Sequence, residues 1–385
     1  KFWYYISNMK IGFLINYFHP LKGGAEDNCF YLAKELSKNN EVHVFTSLLK
    51  GTKKEEIIDN IHVHRYKTLF RYRYYLSFTP GLLNILRYNL DILHVHSFGF
   101  LWHDKIMMLK KLLSKTRIVN TPHGPFMVLK YYNFYQKIFK SLISNFERLF
   151  VSKFYDAVIQ VNPEQYKWLT RYGIKKEKIH FIPNGIIESN FNKVNTKGFE
   201  KKYNLKNKFI ISYLGRIQDY KGLDQVIKVL PNLRKDVIFL VMGKDSGDLN
   251  RLKNLVNKLN INDKIIFTGE VSNEDALAGL SLSKIFVLPS EWEAFGISIL
   301  QAMAQGNAII STRTEGGRFL INKENGFLYN YNDLKDLENK IKVLIADKSS
   351  LNKISKNNIK KAKKFLWQDI SKNLEKVYIG LINKK

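Results

Sequence analysis

The stretch IFVLPSEWEAFGISILQAMAQGNAIISTRTEGG, residues 285–317, decides how the chain folds. Ile285 to Leu288 is a short, unbroken apolar run of the kind buried on both faces of a parallel sheet. It passes through Pro289 and Ser290 into a polar turn carrying Glu291 and Glu293, and the pattern predicts a helix that opens near Phe295 and ends at Gly306. Ala308 to Ile310 is again strand-like, and Gly316-Gly317 follow it. Carboxylates thus stand at the carboxyl end of a parallel strand, where open α/β sheets bind ligands. Two adjacent loops on one rim make a candidate site.

The same alternation extends in both directions. Upstream, strand-like runs at 209–215, 237–243 and 264–270 alternate with helix-length segments, and Ser272 three residues before Asp275 marks the start of a helix over 273–282. Between the first two runs lies YLGRIQDYKG, residues 213–222. Gly215 and Arg216 leave the strand and Lys221-Gly222 precede the next helix, so two cations converge on one rim loop. Such a pair can neutralise charge on a diphosphate. In the first half, runs at 10–16, 41–47, 61–66, 91–97, 117–123, 157–162 and 179–184 repeat the pattern. Strands alternating with helices predict a second parallel, doubly wound α/β sheet. The loop after its first strand, HPLKGGAED, sets Gly23 and Gly24 just before a helix beginning near Ala25, a place where backbone NH groups can approach an anion. A tight strand-to-helix turn accounts for those glycines equally well. His94, His96 and His123 end two strands on that same rim; no carboxylate joins them at a metal-ligand spacing. The expected division is 9–184 and 185–366, with Ile182-Pro-Asn-Gly185 as hinge.

At 385 residues the chain is long enough for two domains, and with 45% hydrophobic residues both should be globular. The single cysteine, Cys29, forms no internal disulfide and suits a reducing, cytoplasmic compartment. No apolar run reaches the roughly 18 to 20 residues of a membrane span, and the residues before Met9 read as an upstream extension rather than a signal peptide. Lys plus Arg number 62 against 34 Asp plus Glu, a net charge of +28. That excess implies an anionic partner and leaves open whether it is a nucleotide phosphate, a membrane surface or nucleic acid. Two stretches mix basic residues with large aromatics. In 131–153 Tyr135, Phe139, Leu142, Phe146 and Leu149 recur at helical spacing, with Lys130, Lys137, Lys140 and Arg148 on the other side. This helix either packs its stripe into the core with a solvated basic back or meets an anionic membrane interface. RYKTLFRYRYYLSF, residues 65–78, mixes both kinds of side chain in one loop-like stretch and is the stronger membrane candidate on sequence.

Residues 285–317 resemble the donor-sugar segment of family-4 glycosyltransferases (glycosyl transferases group 1), in which two glutamates eight residues apart flank a Phe-Gly pair. Glu293, Phe295 and Gly296 match, while Gln301 replaces the second glutamate and can still accept a ribose hydrogen bond through its amide oxygen. After Gly316-Gly317 the family places a glutamate three residues on, where this chain has Leu320. The resemblance runs from about Met9 to the C-terminus. It implies the GT-B fold, two Rossmann-like doubly wound domains facing across a cleft, with a terminal helix (367–385) crossing back to the first domain. It also implies a hexosyltransferase-type enzyme of EC class 2.4 in which Arg216 and Lys221 hold the donor diphosphate. Gly23, Gly24, Gly215, Gly243, Phe295, Gly296 and Gln301 would then line the donor site, Glu293 would hold sugar hydroxyls, and His123 would sit near the transferred sugar.

The expectation is a retaining glycosyltransferase that uses a UDP- or GDP-sugar and an acceptor that is a glycan or lipid-linked, working in the cytoplasm on the inner membrane face. No Asp-x-Asp triplet occurs, so no metal and no other cofactor is expected. Gln301 and Leu320 leave a second reading open, a degenerate GT-B protein that binds a partner or glycan without turnover. A sugar-nucleotide epimerase and a nucleic-acid-binding protein are the remaining rivals, the latter on charge alone; no nucleic-acid partner is expected.

Overall fold

The structure, a computed structural model, describes residues 8–72, 76–123 and 132–384. The chain divides into two compact units, Lys1–Asn184 with Trp367–Lys385, and Gly185–Leu366. In the first, the elements are β1 (Lys10–Ile15), α1 (Gly24–Leu36), β2 (Glu41–Ser47), β3 (Glu55–Ile58), β4 (Ile61–Tyr66), β5 (Phe70–Tyr72), β6 (Leu76–Phe78), β7 (Ile92–His96), α2 (Leu101–Leu113), β8 (Arg117–Asn120), α3 (Phe134–Leu149), β9 (Ala157–Gln160), α4 (Gln165–Arg171) and β10 (Ile179–Phe181). Eight strands form one sheet in the order β10-β9-β8-β7-β1-β2-β4-β3. All its pairs are parallel except β3 with β4. Helices cover both faces of the central strands, and every residue of β7 is buried, His94 and His96 included. Leu14, Phe45, Leu93, Ile106, Ile118 and Val158 form the heart of this core.

The second unit contains α5 (Lys197–Lys202), β11 (Phe209–Leu214), α6 (Leu223–Val229), β12 (Val237–Met242), α7 (Leu249–Lys258), β13 (Ile265–Gly269), α8 (Asn273–Leu282), β14 (Ile285–Leu288), α9 (Ile297–Ala304), β15 (Ala308–Thr312), α10 (Glu315–Leu320), β16 (Gly326–Tyr329), α11 (Leu334–Ala346) and α12 (Lys348–Ala362). Its sheet is parallel throughout, in the order β13-β12-β11-β14-β15-β16. From β11 the chain winds outward one way to β13, then returns to β14 and winds the other way. Neighbouring strands with connections leaving on opposite sides open a crevice at their carboxyl ends. The Ser272 cap is present, its hydroxyl accepting from the Asp275 NH at 3.0 Å. The last helix, α13 (Trp367–Ile382), belongs to the first unit. Trp367 stacks on Tyr31 of α1 with ring centroids 5.7 Å apart, and Asn40 donates to Glu375 at 2.8 Å.

Three features depart from the sequence reading. The edge strand β3, the β5–β6 hairpin and β16 are too short to register as apolar runs. The helix read over 131–153 is α3, and its apolar stripe points outward: Tyr135 is 78% exposed and Leu142 62%. The buried side is Lys140, Ile143 and Glu147. Core packing of the stripe is therefore overturned. Helical periodicity reveals a stripe, not the direction it faces, and here the inward face is served by polar bonds. Lys140 lies 3.6 Å from the centre of the Tyr132 ring, and Glu147 accepts from the Gly99 NH at 2.9 Å. The third departure is in residues 65–78. Arg65 is buried in an ion pair with Glu56, and the Arg71 guanidinium lies over the Tyr17 ring at 4.4 Å, so both cations are occupied within the fold. Lys130, Gly124 and residues 73–75 lie outside the described residues.

Candidate active site

In the second unit the loops that leave β11 and β14, the two strands at the reversal of the sheet, carry Arg216, Lys221 and Glu293. These loops are joined tightly. Gly222 adopts φ +66°, and a Cβ there would run into the Pro289 carbonyl and the Gln225 amide. Any other residue would push the two loops apart. The Glu291 NH donates to the Tyr220 carbonyl at 2.8 Å, and the Gln225 side chain donates to the Pro289 carbonyl at 2.9 Å. This clasp brings Lys221 Nζ to 2.6 Å from Glu293 Oε2, across 72 residues of chain. Burial works against the Lys221 ammonium, but Glu293 and the Tyr213 and Tyr220 hydroxyls more than offset it, and its pKa is raised. Lys221 is thus a fixed cation at any physiological pH.

Arg216 is exposed, and among the described residues no carboxylate pairs with it. Its position is set by two glycines. Gly215 is at φ +152° and Gly243, at the top of β12, at φ +149°; a Cβ on Gly243 would overlap the Gly215 carbonyl. The Gly243 NH donates to the Gly269 carbonyl at 2.9 Å, so three strand ends meet backbone to backbone. On the other side, the Gly316 NH donates to the Glu293 carbonyl at 3.0 Å and a Cβ on Gly316 would strike the Phe295 backbone. The Glu293 loop is therefore held from both flanks.

Phe295, expected among the donor contacts, is only 2% exposed and packs with Phe319 and Phe365. Its ring anchors the loop from beneath. Gly296, at φ +86°, caps α9, which begins at Ile297, close to the start expected near Phe295. Gln301 lies half-buried in the second turn of α9, and among the described residues its amide has no hydrogen-bond partner. Leu320 is fully buried, so the position where a glutamate was looked for faces the core.

In the first unit, Gly23 is the N-cap of α1 in extended conformation, and a Cβ there would meet the Glu26 carboxylate; Gly24 has open space beside it. Glu26 and Asp27 already complement this helix end, which argues against an anion at these glycines. The three histidines do converge. His94 Nε2 lies 2.7 Å from Thr121 Oγ1 and its Nδ1 2.6 Å from the Tyr378 hydroxyl. His96 Nδ1 lies 3.0 Å from His123 Nε2. Burial is the main cause that lowers all three pKa values, to about 3 for His94 and about 4 for His123, with the neighbouring imidazoles adding to it at His94 and His96. All three are neutral at pH 7. His123 holds a left-handed backbone, φ +54°, uncommon for a non-glycine residue and typical of positions under functional constraint. It is half-buried where the other two are enclosed, so it is the end of the chain that a ligand can reach. Tyr378, 284 residues from His94, carried no local signal.

These shifts set a pH dependence. Between pH 6.5, the ordinary histidine value, and about 4, the unfolded chain binds protons that the folded rim refuses, so stability falls as pH drops. Glu147 pulls the other way: burial raises it to about 7, so its contribution is lost as pH rises from 4.5 to 7. The melting temperature of His96→Asn should therefore fall less than that of the parent between pH 7 and pH 5, and that of Glu147→Gln should fall more. Identical slopes in calorimetric scans of all three proteins would contradict this assignment.

Among the described residues, no group of three or more His, Cys, Asp or Glu is placed to hold a metal ion. No helix among them is long and apolar enough to cross a membrane.

Residues 22–189 match the family model Glycosyltransferase Family 4, and residues 195–361 match Glycosyl transferases group 1. The chain belongs to this glycosyltransferase family. Its activity class is sugar transfer of the hexosyltransferase type, EC 2.4. An uncharacterized glycosyltransferase of Methanocaldococcus jannaschii is 27% identical across 98% of this chain and the whole (100%) of that protein. The UDP-Gal:alpha-D-GlcNAc-diphosphoundecaprenol alpha-1,3-galactosyltransferase of Escherichia coli is 28% identical over 69% of each chain. The sucrose-phosphate synthase of Thermosynechococcus elongatus superposes with a TM-score of 0.82 at 21% identity, covering 98% of this chain and 100% of that one. The likeness at that identity concerns the fold, and it is GT-B. The glycosyltransferase thus carries its paired Lys221 and Glu293 in the unit matched by the group 1 model, and its histidine rim in the unit matched by the family-4 model.

Proposed function

We propose that the glycosyltransferase is a retaining, metal-independent enzyme that moves a sugar from a UDP- or GDP-sugar to a glycan or lipid-linked acceptor at a membrane surface. The observation that carries this reading is the clasp holding Lys221 against Glu293 on the same rim as the exposed Arg216, which has no carboxylate partner among the described residues, at the reversal point of a parallel sheet. A diphosphate entering there draws Lys221 toward its oxygens and meets Arg216 directly. Glu293, released from its partner, then accepts hydrogen bonds from sugar hydroxyls. As the bond between the anomeric carbon and phosphate oxygen breaks, both cations neutralise the charge that develops on the leaving group. The acceptor hydroxyl bonds to the same face of the anomeric carbon, and its proton passes to the departing phosphate oxygen. No protein base is needed in this scheme. His123, neutral at pH 7, is assigned to hydrogen-bonding the transferred sugar. The Escherichia coli relative's UDP-Gal donor and diphosphoundecaprenol-linked acceptor support the choice of donor and acceptor class.

The test is transfer in the presence of chelator with the product's anomeric configuration read by NMR. Retention of the donor configuration supports the reading; inversion, or an absolute requirement for divalent metal, contradicts it. A second reading, binding without turnover, is favoured by Gln301. Restoring the acidic side chain should tighten the donor: Gln301→Glu should lower the donor KM by about threefold to tenfold, the gain of a charged over a neutral hydrogen-bond acceptor. Turnover that appears only in Gln301→Glu would establish the binding-only reading for the parent chain.

A further inference from the structure

The helix α3 is inside out for a globular protein. Tyr135, Ile138, Phe139, Leu142, Phe146 and Leu149 all stand at least 38% exposed along its outer face, while Lys140, Ile143 and Glu147 face the fold. A face of this kind, unless covered, costs free energy in water, because contiguous exposed apolar stripes mark interaction surfaces rather than solvated ones. The helix is nonetheless firmly placed. Asn133 and Gln136 form a reciprocal cap at its start, and Glu147 accepts from both the Gly99 NH and, at 3.4 Å, the Tyr155 hydroxyl. The stripe is thus a built surface on a fixed helix.

What covers it is indicated by the charges at its margins. Lys153 is exposed at the end of the stripe, its Nζ 5.9 Å from the centre of the Phe150 ring, and Lys137 and Arg148 are exposed on the flank of the helix, roughly 80–100° round from the nearest stripe residues; among the described residues none of the three has a carboxylate partner. The whole chain carries +28. Two copies meeting through this face would bring like charges together, whereas an anionic lipid surface would attract them. Aromatic side chains among the apolar ones suit the depth of the headgroups. In the stretch around the β5–β6 hairpin, where Phe70 is 60% exposed, Arg65 and Arg71 are held within the fold, and among the described residues Lys67 is the cation left exposed.

We propose that the outer face of α3 is the element that docks the protein on an anionic bilayer, lying in the interface plane with its apolar stripe among the acyl chains and Lys137, Arg148 and Lys153 at the phosphates. The surface rests on exposure and charge alone; only its use, bringing the enzyme to a lipid-linked acceptor, rests on the proposed function.

The full chain is floated with vesicles of phosphatidylcholine, with and without phosphatidylglycerol, alongside a Tyr135→Ser/Leu142→Ser double variant and Phe70→Ser. The expected result is flotation with the anionic vesicles, weakened about tenfold or more in the double variant and little changed in Phe70→Ser. Undiminished flotation of the double variant overturns the proposal, as does loss confined to Phe70→Ser. A dimer in light scattering that the double variant dissolves also overturns it, since the occupant is then a second copy. Nucleotide titration of each variant separates the two readings. Vesicle binding without any nucleotide binding leaves the docking surface standing and removes the transferase mechanism; the converse removes the docking surface alone.

Discussion

Lys221→Ala is expected to lower the transfer rate by about 10²–10³-fold, the usual effect of deleting one group that stabilises charge in the transition state. The loss has two sources. The donor diphosphate loses the cation that is held closest to Glu293, with Nζ and Oε2 2.6 Å apart. Glu293 is then left in a site where its side chain is only 19% exposed, without the ammonium that balances it. An unpaired buried carboxylate costs about 3–5 kcal/mol when fully enclosed, and the remaining exposure places this one near the lower end. Lys221→Ala should therefore melt earlier as well as react slowly. Glu293→Gln separates the two effects, since it keeps the volume and removes the charge. The donor should still bind, because Lys221 and Arg216 are intact, while the rate falls. A Glu293→Gln protein with parental kcat would remove Glu293 from the chemistry and leave it as a partner that orients Lys221.

Gly222→Ala should be nearly as damaging although it touches no charge. The residue holds a left-handed φ of +66°, and its Cβ would fall against the Pro289 carbonyl. The backbone penalty is about 1 kcal/mol and the forced separation of two packed loops about 1–3 kcal/mol more. Because those loops carry Lys221 and Glu293, a displacement on the order of 1 Å would also cost about a hundredfold in rate. Gly24→Ala, in open space, serves as the control. Thermal melts and initial rates of the two variants should differ widely, and equal behaviour would mean that the clasp around Gly222 plays no part in positioning the site.

Much of this was legible from residues alone, for identifiable reasons. Parallel strands buried on both faces leave largely apolar runs, so β11, β12 and β14 announce themselves in FIISYL, VIFLVM and IFVL, and Gly215 and Gly243 mark where the first two end on the rim. The charged residues of interest follow within a few positions. What sequence could not convey is pairing over distance. Lys221 and Glu293 read as two separate features, and nothing local ties them. The Phe295 ring was placed with the donor by the family resemblance, and in the structure it packs into the core against Phe319 and Phe365. The glycines at 23 and 24 were read as an anion cradle or a tight turn, and the helix they open carries Glu26 and Asp27 in its first turn. In α3 the stripe was visible and its direction was not, because the inward face is satisfied by Lys140 over Tyr132 and by Glu147 on Gly99 rather than by apolar packing.

The measurement that bears most directly on the donor site is calorimetric titration of the full chain, in chelator, with UDP and GDP and then with their sugar conjugates. Binding of one nucleotide without metal, abolished in Lys221→Ala and retained in Gly24→Ala, is the expected result, and it also names the base. A folded protein that binds neither nucleotide, or whose Lys221→Ala variant binds as tightly as the parent, would contradict the assignment of Lys221, Arg216 and Glu293 to the donor.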